Sequence, residues 1–108
     1  IQREDPHKKP EVIAPGVNII STANQNQYFS STGTSDSTAM VSGILALILE
    51  SEPHLKQNSL ECIEEVKFAL MESVISQDTS NSHNQKSGYG MISAEDWLSQ
   101  IQSSQICK

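Results

Sequence analysis

Gly33-Thr34-Ser35-Asp36-Ser37-Thr38-Ala39-Met40-Val41-Ser42-Gly43 runs without a break into Ile44-Leu45-Ala46-Leu47-Ile48-Leu49. Ser35 to Thr38 supply short polar side chains of the kind that cap a helix, and the apolar run Ala39 to Leu49 follows at once. A run of that length predicts a helix rather than a strand. Ile44, Leu45, Leu47, Ile48 and Leu49 leave it no polar face, and a helix apolar all round must be covered on every side. Ser42 and Gly43 are small enough to admit another backbone. The whole chain has 108 residues and buries a modest core at best. This helix therefore reads as the centre of something larger.

On the N-terminal side, residues 1–9 form an irregular, polar lead-in closed by Pro10. Val12-Ile13-Ala14 is a short apolar run stopped by Pro15-Gly16, a turn signal. Val17 to Thr22 is rich in β-branched residues and predicts a strand, as does Tyr28 to Thr32, with the amide-rich Ala23 to Gln27 as a loop between them. Gly33 ends the second strand.

Downstream, Pro53 ends the central helix. Asn58-Ser59-Leu60-Glu61 reads as a capping box with Asn58 as the cap, opening a helix to about Ser76. Leu60, Ile63, Val66, Leu70, Met71 and Val74 recur at three- and four-residue spacing as one core-facing stripe, with Glu61, Glu64, Glu65 and Lys67 largely opposite. Gln77 to Ser87 is a polar loop, and Gly88-Tyr89-Gly90 a tight turn. Ser93 caps a last helix bearing Trp97, Leu98 and Ile101, and the tail beyond Gln102 is expected to fray.

Ser35 stands where a strand turns into a helix. The helix start offers unpaired N–H groups and the positive end of the macrodipole, which stabilise negative charge developing beside a nucleophilic serine. Its own N–H can donate to an oxyanion, and Gly33 lets a reacting group approach the backbone. The local pattern alone favours a structural cap over a catalytic role, because Ser and Thr cap helices routinely. The Gly-x-Ser-x-Gly elbow is not met, since Ser37 stands where its second Gly is needed.

Three segments in order carry a resemblance. Pro10-Glu11-Val12-Ile13-Ala14-Pro15-Gly16-Val17-Asn18-Ile19-Ile20-Ser21-Thr22 is similar to the "P-D-V-x-A-P-G-x-x-I-x-S-T" stretch of subtilisin-like serine proteases. Gly33 to Gly43 resembles their "G-T-S-M-A-T-P-H-V-A-G" segment, and Gly88-Tyr89-Gly90-Met91-Ile92-Ser93-Ala94 their closing "G-x-G-x-I-N-A". The chain thus resembles the C-terminal part of a subtilase catalytic domain, with residues 10–102 family-like and 103–108 a tail. The resemblance implies an α/β fold, namely the last strands and three helices of a mainly parallel sheet sandwiched by helices. It also implies peptide-bond hydrolysis through an acyl-enzyme on Ser35, with Gly33, Thr34 and Asp36 beside the substrate and oxyanion. In the family the Asp, the His and the oxyanion Asn precede the serine. This chain offers only Asp5 and His7 there, without their motifs, so it is expected to begin mid-protein and to be inactive alone.

Partners implied are an upstream polypeptide carrying Asp and His, polypeptide substrates, and a propeptide or inhibitor. Family likeness also favours secretion. Calcium is common in the family, but no Asp-x-Asp-x-Asp loop or comparable ligand set is present, and the chemistry requires no cofactor. Ala39 and Met40 replace the usual Pro-His, and Asp36 replaces a small or apolar residue. A catalytically inactive binding or assembly module and an unrelated domain in which Ser35 only caps are the rival readings. His7, His54 and His83, the last near Asp78, lack supporting spacing.

A formal net charge of −6 argues against nucleic acid, because phosphate affinity rests on clustered Lys and Arg. The run Ala39 to Leu49 is too short to span a bilayer. Cys62 and Cys107 have neither metal-ligand spacing nor a disulfide framework, and read as a buried thiol and a thiol at a frayed end.

Overall fold

The structure, a computed structural model, describes residues 8–75 and 83–107. Asp5, His7, Asp78, the predicted helix end near Ser76 and most of the polar loop lie outside the described residues. The chain forms β1 (Ile19–Ala23), β2 (Gln27–Ser31), α1 (Thr34–Ser51), a 3-10 turn (Pro53–Leu55), α2 (Leu60–Glu72) and α3 (Ala94–Ser103).

β1 and β2 pair antiparallel, Ile19 opposite Ser31 and Ala23 opposite Gln27. The tight connection is made by Gln25 and Asn26, both in the left-handed region. The hairpin stands out from the body, with Ile20 and Tyr28 largely exposed. Among the described residues, parallel pairing is confined to one bridge, Ile13 with Met91, where the Ile13 N–H donates to the Gly90 carbonyl (2.9 Å) and the Ile92 N–H donates to the Ile13 carbonyl (2.9 Å). Met91 also meets Ile75 in an antiparallel bridge. Helices around this small sheet nucleus give the α/β character expected. Gly88 permits it: its φ is +62°, and a Cβ there would lie 2.4 Å from the Glu11 carbonyl oxygen.

The core lies at the far end of α1. Ile48, Leu55, Cys62, Ala69, Leu70, Ile92, Trp97, Ile101 and Ile106 form it, and Trp97 and Ile101 are essentially sealed. The Trp97 Nε1–H donates to the Val66 carbonyl (3.1 Å), which gives the buried indole its polar partner and clamps α3 to α2.

Several expectations change. α1 is not buried all round: Ile48 is its one buried residue, while Leu47 is 67% exposed and Met40 37%. Nothing lies within 4 Å of a Cβ built on Gly43, so no backbone approaches there. The described residues do not supply enough apolar surface to wrap the helix. The stripe on α2 is turned: Leu60 and Ile63 are exposed, and Cys62, Ala69, Leu70 and Met71 face inward. Ser59, not Asn58, is the cap, its Oγ accepting from the Cys62 N–H (3.3 Å). α2 stops at Glu72 because the Ser73 N–H turns back to the Ala69 and Leu70 carbonyls and Ile75 then pairs with Met91. Ser93 caps α3 as expected, accepting from the Asp96 N–H.

The largest correction concerns the cysteines and the tail. Cys62 and Cys107 are joined in a disulfide, and Ile106 is buried in the core. The tail does not fray. Spacing gives no hint of this pairing, because a lone pair of cysteines far apart in sequence meets only when α2 and the end of α3 pack together.

Candidate functional site

α1 begins at Thr34, with Gly33 as its cap residue and no capping side chain. The hydroxyls expected to cap do other work. Ser37 Oγ donates to the Ala14 carbonyl (2.9 Å) and reaches the Pro15 carbonyl (3.2 Å), which ties the first turn of α1 to the segment that follows the Ile13 bridge. Thr38 Oγ1 donates back to the Thr34 carbonyl (3.0 Å). Ser31 Oγ donates to Asp36 Oδ2 (2.9 Å), fixing a half-buried carboxylate in the first turn, where the macrodipole favours it.

Ser35 is left exposed, and its hydroxyl makes no hydrogen bond among the described residues. The observation separates it from Ser37 and Thr38. It is the one serine of the turn not spent on structure. As the second residue of α1, its N–H has no carbonyl one turn back within the helix. An unpaired hydroxyl and an N–H outside the helical ladder are thereby presented from one residue.

The turn is held from below. The Gly33 N–H donates to the Gly16 carbonyl (2.8 Å), and the Asn18 N–H donates to Thr32 Oγ1 (3.0 Å). A Cβ on Gly16 would stand 2.4 Å from Ser37 Oγ and 2.8 Å from the Gly33 carbonyl oxygen, so the Pro15-Gly16 turn must be bare for the helix start to sit on it. Gly16 and Ser37 are positioning residues that the sequence showed only as a turn signal and a presumed cap. A groove of about 490 Å³ beside them is lined by Val12, Ile13, Ala14, Thr34, Ser37, Thr38, Val41 and Ser42; Ser35 is not part of its wall.

Neither described histidine reaches Ser35. His54 Nε2 meets the Ile106 carbonyl (3.0 Å) with Nδ1 3.5 Å from Glu52, and His83 Nε2 meets the Pro10 carbonyl (2.8 Å) with its ring edge-on to Tyr89. Glu11 forms an ion cluster with Lys67 (2.7 Å) and Lys9. Burial pushes its carboxyl up, but Lys67 and Lys9 together hold it below the usual range; Glu11 in turn raises Lys67. Among the described residues, no three His, Cys, Asp or Glu side chains gather as a metal site.

Residues 2–91 match the subtilase family, peptidase S8. The chain belongs to the subtilase family. This subtilase is 38% identical to serine protease AprX of Bacillus subtilis over 50% of its length, covering 15% of that protein. It is 29% identical to the halolysin-like extracellular serine protease Nep of Natrialba magadii over 79% of its length, covering 14% of that protein. Its fold is similar to the CspB protease of Clostridium perfringens, with a TM-score of 0.76 and 26% identity, over 98% of this chain and 23% of that one. The chain thus spans a small fraction of the relatives it matches. No helix among the described residues is long and apolar enough to cross a membrane.

Proposed function

We propose that Ser35 is the nucleophile of a serine endopeptidase whose general base, orienting Asp and second oxyanion donor, an Asn, come from polypeptide upstream of this region. The observation that carries the reading is an exposed hydroxyl in a Gly-Thr-Ser turn, free of capping duty, at the start of an 18-residue helix in a subtilase. Ser35 Oγ attacks the scissile carbonyl carbon and passes its proton to the histidine. The carbonyl oxygen takes the negative charge and accepts from the Ser35 N–H, which already points out of the helix. Collapse expels the amine, which leaves with the histidine's proton. Water then repeats the sequence on the acyl-enzyme. Gly33 and Thr34 border the substrate backbone, and Asp36 places a fixed carboxylate beside the reaction.

Without a base, a serine hydroxyl is a poor nucleophile at neutral pH, so this region alone is inactive. The bare face of α1, from Met40 to Leu47, supports an upstream segment packing there and completing the catalytic domain. Substrates are polypeptides, and a propeptide or inhibitor chain would occupy the same site. The proposed chemistry requires no cofactor, and calcium in the complete domain would need ligands from elsewhere, since among the described residues no three His, Cys, Asp or Glu side chains gather. The disulfide and the extracellular relative favour export to an oxidising compartment.

Hydrolysis of a peptide substrate by the complete protein, parent against Ser35→Ala, tests this. Loss of turnover to the level of background, with folding retained, supports the reading. Turnover that survives Ser35→Ala removes it. A complete, folded parent with no turnover on any peptide would instead mark an inactive binding or assembly module.

A further inference from the structure

Beyond the proteolytic site, the C-terminal turn is built as a latch. After α3, Cys107 returns to α2 through its bond to Glu65 and the disulfide to Cys62, and Ile106 is buried in the core cluster that also holds Leu55, Cys62 and Ile101. Polar contacts accompany it: the Cys107 N–H donates to Glu65 Oε2 (2.9 Å), Gln57 Nε2 donates to the Cys107 carbonyl (2.8 Å), and the Ile106 carbonyl accepts from His54 (3.0 Å). The backbone is nonetheless in an unfavourable conformation. Gln105 and Cys107, neither of them glycine, sit at φ of +50° and +65°. Left-handed non-glycine residues persist only where surrounding structure over-determines them. Glu65, Gln57 and Cys107 bond near solvent, where such contacts add little net stability. The buried Ile106 and the covalent link to Cys62 are the restraints that remain.

The two sulfur-bearing residues differ in access. Cys62 is 4% exposed and belongs to the core, whereas Cys107 is half-buried at the rim. We propose that Cys62–Cys107 is a thiol-exchange site that latches the C-terminal turn, opened through Cys107 by low-molecular-weight thiols and closed by the corresponding disulfides. A thiolate RS⁻ attacks Cys107 Sγ, forming the RS–S–Cys107 mixed disulfide and releasing Cys62 as thiolate. A second RS⁻ releases Cys107 and departs as RSSR, so two electrons pass from the thiols to the protein. Closure runs in reverse with RSSR as oxidant. On opening, Ile106 leaves the core, and His54 and Gln57 lose the carbonyl groups they hold.

Hydrogen exchange on the complete protein, oxidised and after tris(2-carboxyethyl)phosphine, measures the latch without reference to Ser35. Exchange at Ile106, Cys107 and Gln57 should speed up at least about tenfold on reduction, while α2 near Ala69 changes little. Glutathione followed by acid quench and peptide mapping should place the mixed disulfide on Cys107. Exchange within about twofold of the oxidised protein would overturn the latch, since the tail would then hold without its bond. An adduct chiefly on Cys62 would overturn the route. Cys107→Ser should reproduce the reduced pattern, and reduction in place keeps the test decisive if that variant does not fold.

Discussion

Replacing Gly16 by Ala probes how the Ser35 turn is seated. The new Cβ would stand 2.8 Å from the Gly33 carbonyl oxygen and 2.4 Å from Ser37 Oγ, where ordinary contact begins at 3.4 Å. Ser37 can rotate, at the cost of its bond to the Ala14 carbonyl. The Gly33 oxygen is backbone and can only move away, by about 0.6 Å to reach ordinary contact. That motion stretches the Gly33 N–H···Gly16 bond from 2.8 Å, which costs about 1 kcal/mol. Overpacking adds about 1–3 kcal/mol. Against this, Ala removes about 0.4–1 kcal/mol of backbone freedom from the unfolded chain. The clash wins, and Gly16→Ala should destabilise the complete protein by about 1–3 kcal/mol in urea unfolding. Because the displaced atoms carry Ser35, acylation should fall more than stability implies, by about tenfold or more in folded protein. Adding Ser37→Ala should recover only part of the loss, since the Gly33 oxygen remains. A Gly16→Ala protein that unfolds at the parental urea concentration and acylates at the parental rate would refute the seating.

Other consequences follow from the same structure. Replacing both Cys62 and Cys107 with Ser should lower stability by about 4 kcal/mol in chemical denaturation, the loop-closure value for a sequence separation of 45. The Glu11 carboxyl is held below its ordinary value of 4.5, so its contribution is present above that value and is lost as pH falls through the lower folded-state value. Lys67→Met should flatten stability against pH in that acidic window, as followed by urea midpoints, whereas Lys56→Met should leave it unchanged. Asp36 lies one residue from Ser35, the proposed nucleophile, and as a carboxylate favours the protonated form of a neighbouring histidine. Since the base must be neutral, Asp36→Asn should move the acidic limb of the pH–rate profile to lower pH, and an unmoved limb rejects the role.

The helix from Thr34, the two strands (though not their antiparallel pairing) and the Ser93 cap were legible because each rests on local signals: an apolar run, β-branched clusters, and a serine before a helical pattern. Reading failed where a choice depends on packing. Asn58 and Ser59 are both good caps, and the one whose oxygen meets the Cys62 N–H is settled by how α2 enters the core. Leu60 and Ile63 fit the helical period but lie outside, because the disulfide and the Trp97 bond to Val66 rotate α2 toward Cys62. At the site, Ser35, Ser37 and Thr38 are alike as letters. Only their partners, or the lack of one, distinguish a tie to Ala14 from a hydroxyl left available.

Mass mapping of a fluorophosphonate adduct on the complete protein tests the central claim most directly. The adduct should sit on Ser35 alone among the serines of the turn, form at neutral pH, and vanish both in Ser35→Ala and in unfolded protein. An intact, folded protein in which Ser35 stays unmodified, or in which Ser37 reacts as readily, would contradict a nucleophile presented at the start of α1.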